Sequence, residues 1–332
     1  MKETVSFSKD AANLFFHILT GCNLSCRHCY ITPDQHGTHM LAIETIEAWL
    51  RLFARRNHAA HVIFLGGEPT LHPELSQAVH TARDFGYRSV TIDTNGYLFH
   101  DILHKIAPED IDYFSFSLDG ATAAVNDRIR GDGSFQHCTD GIRSAVSRGF
   151  HTSLIYTVSQ ENIHELPLMP TFLAELGVKR FFIQVLGLRG QSAGVNHRDS
   201  RVSRTNWLQV VPSTAEAAAD LGIITVYPKV FLELDEPFEC AGRVADNYFV
   251  FPNGRVYRCP LCEDYPIHSL CIEENQLISA GPINEKDLFA LDIPEGCVMN
   301  KLIQPENLTY DDQGAPEYKI ACCLLKEELR PK

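Results

Sequence analysis

The sequence predicts an α/β fold: a parallel sheet built by alternating strands and helices, followed by a smaller cysteine-rich region that contains a β-hairpin. Three observations lead there. Six apolar or alternating runs between residues 13 and 187 end in glycine or polar residues, and stretches with helical spacing separate most of them. After residue 187 this regularity stops, and seven of the eleven cysteines lie beyond residue 239. Strand and helix in repeated alternation need crossover connections, which are right-handed and make the strands parallel. Periodicity alone leaves open whether the sheet is an open doubly wound one or a segment of a barrel.

The strands, in order, are "NLFFHIL" (13–19), "HVIFLGG" (61–67), "YRSVTIDTNG" (87–96), "IDYFSFSLDG" (111–120), "FHTSLIYTVS" (150–159) and "VKRFFIQVLG" (178–187). Each is short, rich in β-branched and aromatic residues, and closed by turn formers. The helices between them are "LAIETIEAWLRLFARR" (41–56), "HPELSQAVHTARDFG" (72–86), "QHCTDGIRSAVSRG" (136–149) and "IHELPLMPTFLAELG" (163–177), three of which close on glycine as a helix C-terminus does. Beyond them, "GLRGQSAGVNHRDSRVSR" (187–204) is polar, and "TNWLQVVPSTAEAAADLG" (205–222) again has helix character. In "NYFVFPNGRVYRC" (247–259) the pair Asn253-Gly254 is expected to supply the positive φ angles of a hairpin turn. The division expected is a tail over 1–12, a core over 13–190, a connecting helical segment over 191–228 and a cysteine-rich domain over 229–332.

Composition removes several functions. The 42 acidic residues outnumber the 29 basic ones, a net charge of −13, which argues against a partner that is chiefly a nucleic-acid backbone. The cluster Arg51, Arg55 and Arg56 reads as a solvated helix face. The opening "MKETVSFSKDAANLFFHIL" lacks a basic leader with a long apolar run, and no run approaches the roughly 20 apolar residues of a membrane span. A cytoplasmic protein without a membrane partner is expected, its cysteines serving as metal ligands or core residues and not as disulfides.

In "TGCNLSCRHCY" (20–30) three thiols fall at the spacing Cys22-x3-Cys26-x2-Cys29. Zinc, a redox dithiol or plain burial would each use such residues, yet no fourth ligand follows at zinc-ribbon spacing. A four-iron four-sulfur (4Fe-4S) cubane takes one ligand per iron, so three cysteines would leave one iron open to a small molecule. Here the sequence resembles the radical S-adenosylmethionine (SAM) enzymes, whose hallmark is CxxxCxxC in this strand-to-loop position. "FLGGEP" (64–69) resembles the family's GGE motif, which places Gly66, Gly67, Glu68 and Pro69 where the backbone meets the SAM amino group. "TIDTNG" (91–96), with Thr94 and Asn95, resembles the third-strand end; "SFSLDG" (115–120) resembles the segment whose serine and aspartate, here Ser117 and Asp119, lie near the ribose. "NDRIRGDGSF" (126–135) resembles the following loop, whose arginine, here Arg130, meets the SAM carboxylate.

The resemblance implies a partial six-stranded (β/α)6 TIM-type barrel, a SAM-binding 4Fe-4S cluster on Cys22, Cys26 and Cys29, and SAM itself as cofactor. Glu68 offers an acceptor for the SAM ammonium and Arg130 a fork for its carboxylate. Each has a plainer reading: Glu68 as the cap of a helix near Pro69, Asp119 in a turn before Gly120, Arg130 paired with Asp127 or Asp132. Two departures stand out. The residue before the third cysteine, often a large aromatic, is His28, for which packing is expected over iron ligation, and Tyr30 follows it. The fifth strand continues as "YTVSQEN" (156–162) without a glycine-rich adenine motif, leaving Asn162 and Gln184 as candidate adenine contacts.

The seven late cysteines are Cys240, Cys259, Cys262, Cys271, Cys297, Cys322 and Cys323. Cys240-x13-Gly254-x4-Cys259 resembles the opening of the SPASM and twitch domains carried by many of these enzymes, and the second closely spaced cysteine run of a full SPASM domain is lacking. The resemblance therefore implies one auxiliary iron-sulfur cluster, of 4Fe-4S type, on Cys240, Cys259, Cys297 and Cys322, with Cys262 and Cys323 as rivals. A zinc site or unligated core cysteines are the alternative, and Cys138 reads as core.

The function implied is reductive cleavage of SAM to a 5'-deoxyadenosyl radical that takes hydrogen from a peptide, a protein or a small biosynthetic precursor, as in a maturase or oxidoreductase. An electron donor such as flavodoxin or ferredoxin would serve it. Only 21 residues precede Cys22, so no separate peptide-recognition domain is expected before the barrel. The alternative is a non-catalytic iron-sulfur or zinc protein for electron transfer or regulation, against which the GGE segment and Arg130 argue.

Overall fold

The computed structural model describes residues 2–57, 60–193 and 200–332. Strand β1 (Ala12–Leu19) leads through α1 (Pro33–His36) and α2 (Ile43–Arg56) to β2 (His61–Gly66), α3 (Leu75–Asp84) and β3 (Ser89–Thr94). Then come α4 (Ile102–Lys105), β4 (Tyr113–Ser117), α5 (Ala123–Arg130), α6 (Ser134–Ser147), β5 (Thr152–Val158), α7 (Met169–Leu176) and β6 (Arg180–Val185). Helix α8 (Arg204–Asp220) returns the chain to β7 (Ile224–Pro228). The remainder holds β8 (Phe231–Leu232), α9 (Ala241–Val244), β9 (Asp246–Val250), β10 (Arg255–Tyr257), β11 (Leu270–Glu273) and β12 (Gln276–Ser279). It ends with α10 (Glu285–Phe289), α11 (Val298–Ile303), β13 (Lys319–Ile320) and β14 (Lys326–Leu329).

Strands β1 to β7 pair in chain order, each parallel to the next. A doubly wound sheet reverses its order at a switch point. This one does not, and one of its faces encloses a cavity lined from every strand between β1 and β6, so the architecture is the partial barrel. Both edges are taken up by the C-terminal chain. Strand β9 runs parallel beside β1, with Ala12 opposite Asp246, and continues through β10 and β11 to β12 as an antiparallel meander. Strand β14 pairs antiparallel with β7.

The period of two in each strand decides what faces what. Leu14, Phe16, Val62, Phe64, Ile92, Phe114, Phe116, Leu154, Phe181 and Ile183 belong to the core shared with the helices. Their neighbours Phe15, Ile63, Asp93, Ser115, Ile155 and Phe182 line the cavity instead. Helices α2 and α3 bury one stripe each, Ile46, Trp49, Leu50 and Phe53 from the first and Leu75, Ala78, Val79 and Ala82 from the second. A second cluster, containing Phe15, Ile63, Phe249, Phe251 and Tyr257, joins the inner face of the sheet to the C-terminal region.

Four local readings change. "NDRIRGDGSF", expected as a loop, begins inside α5, whose first turn is capped by Thr122 Oγ1 accepting from Val125 N–H. Strand β7 was hidden in a stretch read as helical connection, because only five residues follow the turn at Gly222. In the β9–β10 hairpin only Gly254 of the expected pair has positive φ (83°), and the turn closes by Gly254 N–H donating to Phe251 O at 2.9 Å across Pro252. The helix expected over 163–177 splits into a tight turn over Ile163–Leu168 and α7, since Pro167 and Pro170 have no N–H to give. Thr4, Val5 and Phe7, ahead of β1, line the barrel cavity. Among the described residues no helix is long and apolar enough to cross a membrane.

Candidate functional site

The loop after β1 carries Cys22, Cys26 and Cys29 along the mouth of a cavity of about 280 Å³, and all three line it. The loop has little regular structure and is held by its neighbours. Gly67 N–H donates to Leu19 O (3.1 Å) and Glu68 N–H to Gly21 O (3.0 Å); Arg27 N–H donates to Ile129 O (2.9 Å) and Gln191 N–H to Cys29 O (2.9 Å). The two glycines are needed for this approach. A Cβ at Gly66 would lie 2.2 Å from Leu19 O, and one at Gly67 would lie 2.1 Å from Gly21 O. The GG pair thus lets β2 grip the cysteine loop, while both glycines also line the cavity.

Burial raises the pKa of Cys26 and of Cys29, so both thiols are neutral until a metal displaces their protons. Among the described residues no three His, Cys, Asp or Glu side chains converge closely enough for a single metal ion. A cubane sets a different demand, since it places each thiolate on a separate iron. Three thiols spread along one cavity mouth, beside a buried guanidinium, fit that group.

Glu68 is where the geometry departs most from the expectation. It is 0% exposed and absent from the cavity lining. Its Oε1 accepts from Thr70 N–H (3.1 Å), Thr70 Oγ1 (2.6 Å) and Thr94 Oγ1 (2.8 Å), and its Oε2 accepts from Asn95 N–H (2.7 Å). The carboxylate therefore caps the Pro69–Leu71 turn and ties it to the end of β3, which is the plainer reading of this residue. Pro69 is buried at the first position of that turn, also off the cavity. The free carboxylate on the cavity wall belongs to Asp93, quoted in the third-strand motif but not singled out. Among the described residues its hydrogen bond is from Ser117 Oγ at 3.3 Å. Burial, then the nearby Glu68 charge, push its pKa up to about 7. An acid inside a largely buried parallel strand was the signal that could have found it.

Asp119 is likewise off the lining. Its Oδ2 lies 2.6 Å from Arg130 Nε and 2.6 Å from His28 Nε2, and its Oδ1 accepts from Thr157 N–H (2.8 Å). Burial would raise its pKa, but Arg130 and His28 outweigh that and hold it at about 2. Asp119 thus positions two cavity-lining side chains, Arg130 and His28, and is itself 0% exposed and off the lining. Arg130, at the end of α5, pairs with Asp119 instead of Asp127 or Asp132, and its Nε meets no acceptor at hydrogen-bonding angles. Asn162 spends its side chain on the turn after β5, donating to Asp119 O (3.1 Å) and Thr157 O (2.9 Å) and accepting from Ser159 N–H (2.7 Å). It does not line the cavity; Gln184, Thr94, Asn95 and Ser117 do. Asn95 also reaches the cysteine loop, its Nδ2 donating to Asn23 Oδ1 at 2.8 Å. Tyr30 lines the cavity with its hydroxyl 2.7 Å from His17 Nε2 and the Arg189 guanidinium 4.2 Å over its ring.

The late cysteines gather around a second, smaller cavity. Cys240 at the start of α9, Cys259 after β10, Cys297 before α11, and Cys322 and Cys323 before β14 all line it, among Phe238, Leu288, Phe289 and Met299. Cys262 is buried but off that lining, and Cys271 is half-buried on β11. Cys323 lines both cavities. Burial raises the pKa of Cys297 and pushes Cys322 up to about 11. Cys138 is 1% exposed, in the core.

The curled parallel sheet and its three-thiol loop fall in a stretch, residues 16–173, that matches the family model of the Radical SAM superfamily, so the chain carries a domain of that family. Over 199 residues it is 28% identical to a probable GTP 3',8-cyclase of Saccharolobus solfataricus and 29% identical to the Fe-coproporphyrin III synthase of Methanosarcina barkeri. Those alignments cover 59% of this chain and 64% and 49% of the two relatives, so the match spans less than two thirds of either. In fold the chain is similar to Streptococcus suis SuiB bound to S-adenosylmethionine, with TM-score 0.64, 14% identity, and coverage of 88% of this chain and 75% of that one. It is similar also to anSMEcpe with bound AdoMet, with TM-score 0.60, 14% identity, and coverage of 95% and 90%.

Proposed function

We propose that the protein is a radical SAM enzyme that cleaves S-adenosylmethionine reductively and takes hydrogen from a peptide, protein or small biosynthetic precursor. One observation carries the reading: Cys22, Cys26, Cys29 and Arg130 open onto a single cavity walled by strands β1 to β6. A reduced 4Fe-4S cluster with SAM on its open iron supplies, when bound, the 5'-deoxyadenosyl radical that abstracts hydrogen from the substrate. Cys22, Cys26 and Cys29 would hold that cluster. Arg130, fixed through Asp119, offers its outer guanidinium nitrogens to the methionyl carboxylate, and Asp93 takes the ammonium that Glu68 is not free to meet. Ser117, Thr157 and Gln184 offer hydrogen bonds to the nucleoside from β4, β5 and β6. Phe15, Ile63 and Leu65 face them across the cavity and keep water from the reacting carbon.

Residues 229–332 act in this reading as a twitch-like domain holding an auxiliary iron-sulfur cluster. Cys240, Cys259, Cys297 and Cys322 are its ligands and Cys323 is the closest rival, because the five thiols share one small apolar cavity. The setting is cytoplasmic, with a flavodoxin or ferredoxin as electron donor. Both substrate classes have a counterpart among the similar proteins: SuiB has been seen bound to its precursor peptide SuiA, whereas the curated relatives are a probable GTP cyclase and a coproporphyrin synthase. The test is whether reduced, reconstituted protein converts SAM to 5'-deoxyadenosine. Formation at a rate that depends on Cys22, Cys26 and Cys29 is expected; none from iron-replete protein would overturn the reading.

A further inference from the structure

Part of the cavity wall is built by the C-terminal chain, which contributes Leu261, Asn300, Gln304, Cys323 and Lys326. Lys326 opens β14, with its Nζ 4.2 Å from the centre of the Phe7 ring. The other cavity-lining cations are matched by carboxylates, Arg130 by Asp119 and Arg189 by Glu263. Among the described residues no carboxylate is paired with Lys326. Burial lowers its pKa to about 8, which leaves it cationic at neutral pH. The Phe7 ring beside it packs on Phe15 (6.1 Å between centroids) and Phe182 (5.9 Å), and Phe15 stacks on Phe249 at 4.3 Å. A half-buried ammonium beside one ring, on a cavity wall and without a carboxylate partner among the described residues, is open to an anion.

We infer that Lys326 receives an anionic oxygen group of the substrate, a carboxylate or phosphate borne on an apolar body that packs against Phe15, Phe182 and Phe249. The inference rests on the cavity being the place where substrate binds. SAM brings a carboxylate of its own, but that group belongs beside the three thiols, where Arg130 already stands. The anion at Lys326 is then a second one, held by β14 directly after the paired cysteines Cys322 and Cys323.

The experiment uses full-length protein reconstituted with iron and sulfide, with SAM present, and three probes: 4-phenylbutyrate, its neutral amide and phenyl phosphate. Calorimetry reads their affinities for wild type, Lys326→Met and Lys326→Arg. At least one anion should bind wild type roughly tenfold or more tightly than the amide, as a charge-assisted hydrogen bond would give. Lys326→Met, which keeps the stem and its packing, should erase that preference, and Lys326→Arg should keep it. The stronger anion tells carboxylate from phosphate. Equal binding of amide and both anions to wild type overturns the inference, as does a preference that survives in Lys326→Met. A parallel loss of SAM affinity in Lys326→Met would assign the lysine to SAM and overturn it too. SAM cleavage by the same wild-type preparation is scored separately: its absence defeats the proposed function, while the anion preference still reports on Lys326.

Discussion

The two thiol sets are built in opposite ways. Cys22, Cys26 and Cys29 come from one eleven-residue loop, stay exposed or half-buried, and border a wide cavity with polar groups from β3 to β6. Cys240, Cys259, Cys297, Cys322 and Cys323 come from four separate segments and enclose a small space among apolar side chains. The first arrangement leaves open cavity beside the thiols, and the second surrounds its thiols with protein. In the proposed reading, chemistry on a bound small molecule belongs to the barrel, and electron storage or substrate contact to the C-terminal site.

The largest effect should come from replacing Cys22, Cys26 and Cys29 together by alanine. About four of about eight irons per chain should be lost and SAM cleavage abolished, because each cubane carries four irons. Unchanged iron would erase the distinction between the sites. Cys240→Ala or Cys259→Ala should remove the other half of the iron and spare slow SAM cleavage, while turnover of the true substrate fails. A protein that keeps about eight irons after Cys240→Ala would show those thiols are not ligands.

Within the barrel the comparison sharpens to two carboxylates. Asp93→Asn should weaken SAM binding roughly ten- to a hundredfold with iron content intact, the worth of a charge-assisted bond. Glu68→Ala should instead act on the fold, lowering stability by about 2 kcal/mol or more, since it strands the buried donors of Thr70, Thr94 and Asn95. Calorimetric SAM titration and denaturant melts of both variants separate the roles; a stable Glu68→Ala protein with impaired SAM binding would return the ammonium contact to Glu68. The smallest effect is in acid. Asp119, at about 2 in the fold against an ordinary 3.8, contributes stability that is fully present above pH 3.8 and is lost as pH falls through about 2. The contribution is worth about 2 kcal/mol. Asp119→Asn should flatten that part of the stability profile, and an unchanged acid limb would contradict the pairing with Arg130 and His28.

How much of this was legible follows from which signals are local. The six barrel strands and the helices at 41–56, 72–86 and 136–149 repeat an apolar period within a few turns, and they stand where that period put them. The same alternation that hides Phe114 and Phe116 turns Ser115 and Ser117 to the cavity, so the polar lining was written in the strands. Three nearby thiols announce themselves by spacing alone. A carboxylate's partners do not, because they come from other strands. Glu68 reads as a ligand until Thr94 and Asn95 arrive from β3, and Asp119 until Arg130 and His28 close on it. The late thiols needed the tertiary fold most: Cys323 stands beside Cys322 in sequence, yet it borders both cavities.

The most direct test of a SAM-accepting barrel site distinct from the C-terminal site is the electron paramagnetic resonance spectrum of reduced Cys240→Ala protein, recorded with and without SAM. The variant should retain one reduced-cluster signal, and SAM should change its g values, because a cluster held by Cys22, Cys26 and Cys29 alone would leave one iron open to SAM. A retained signal indifferent to saturating SAM, or no signal at all in iron-containing protein, would contradict the account.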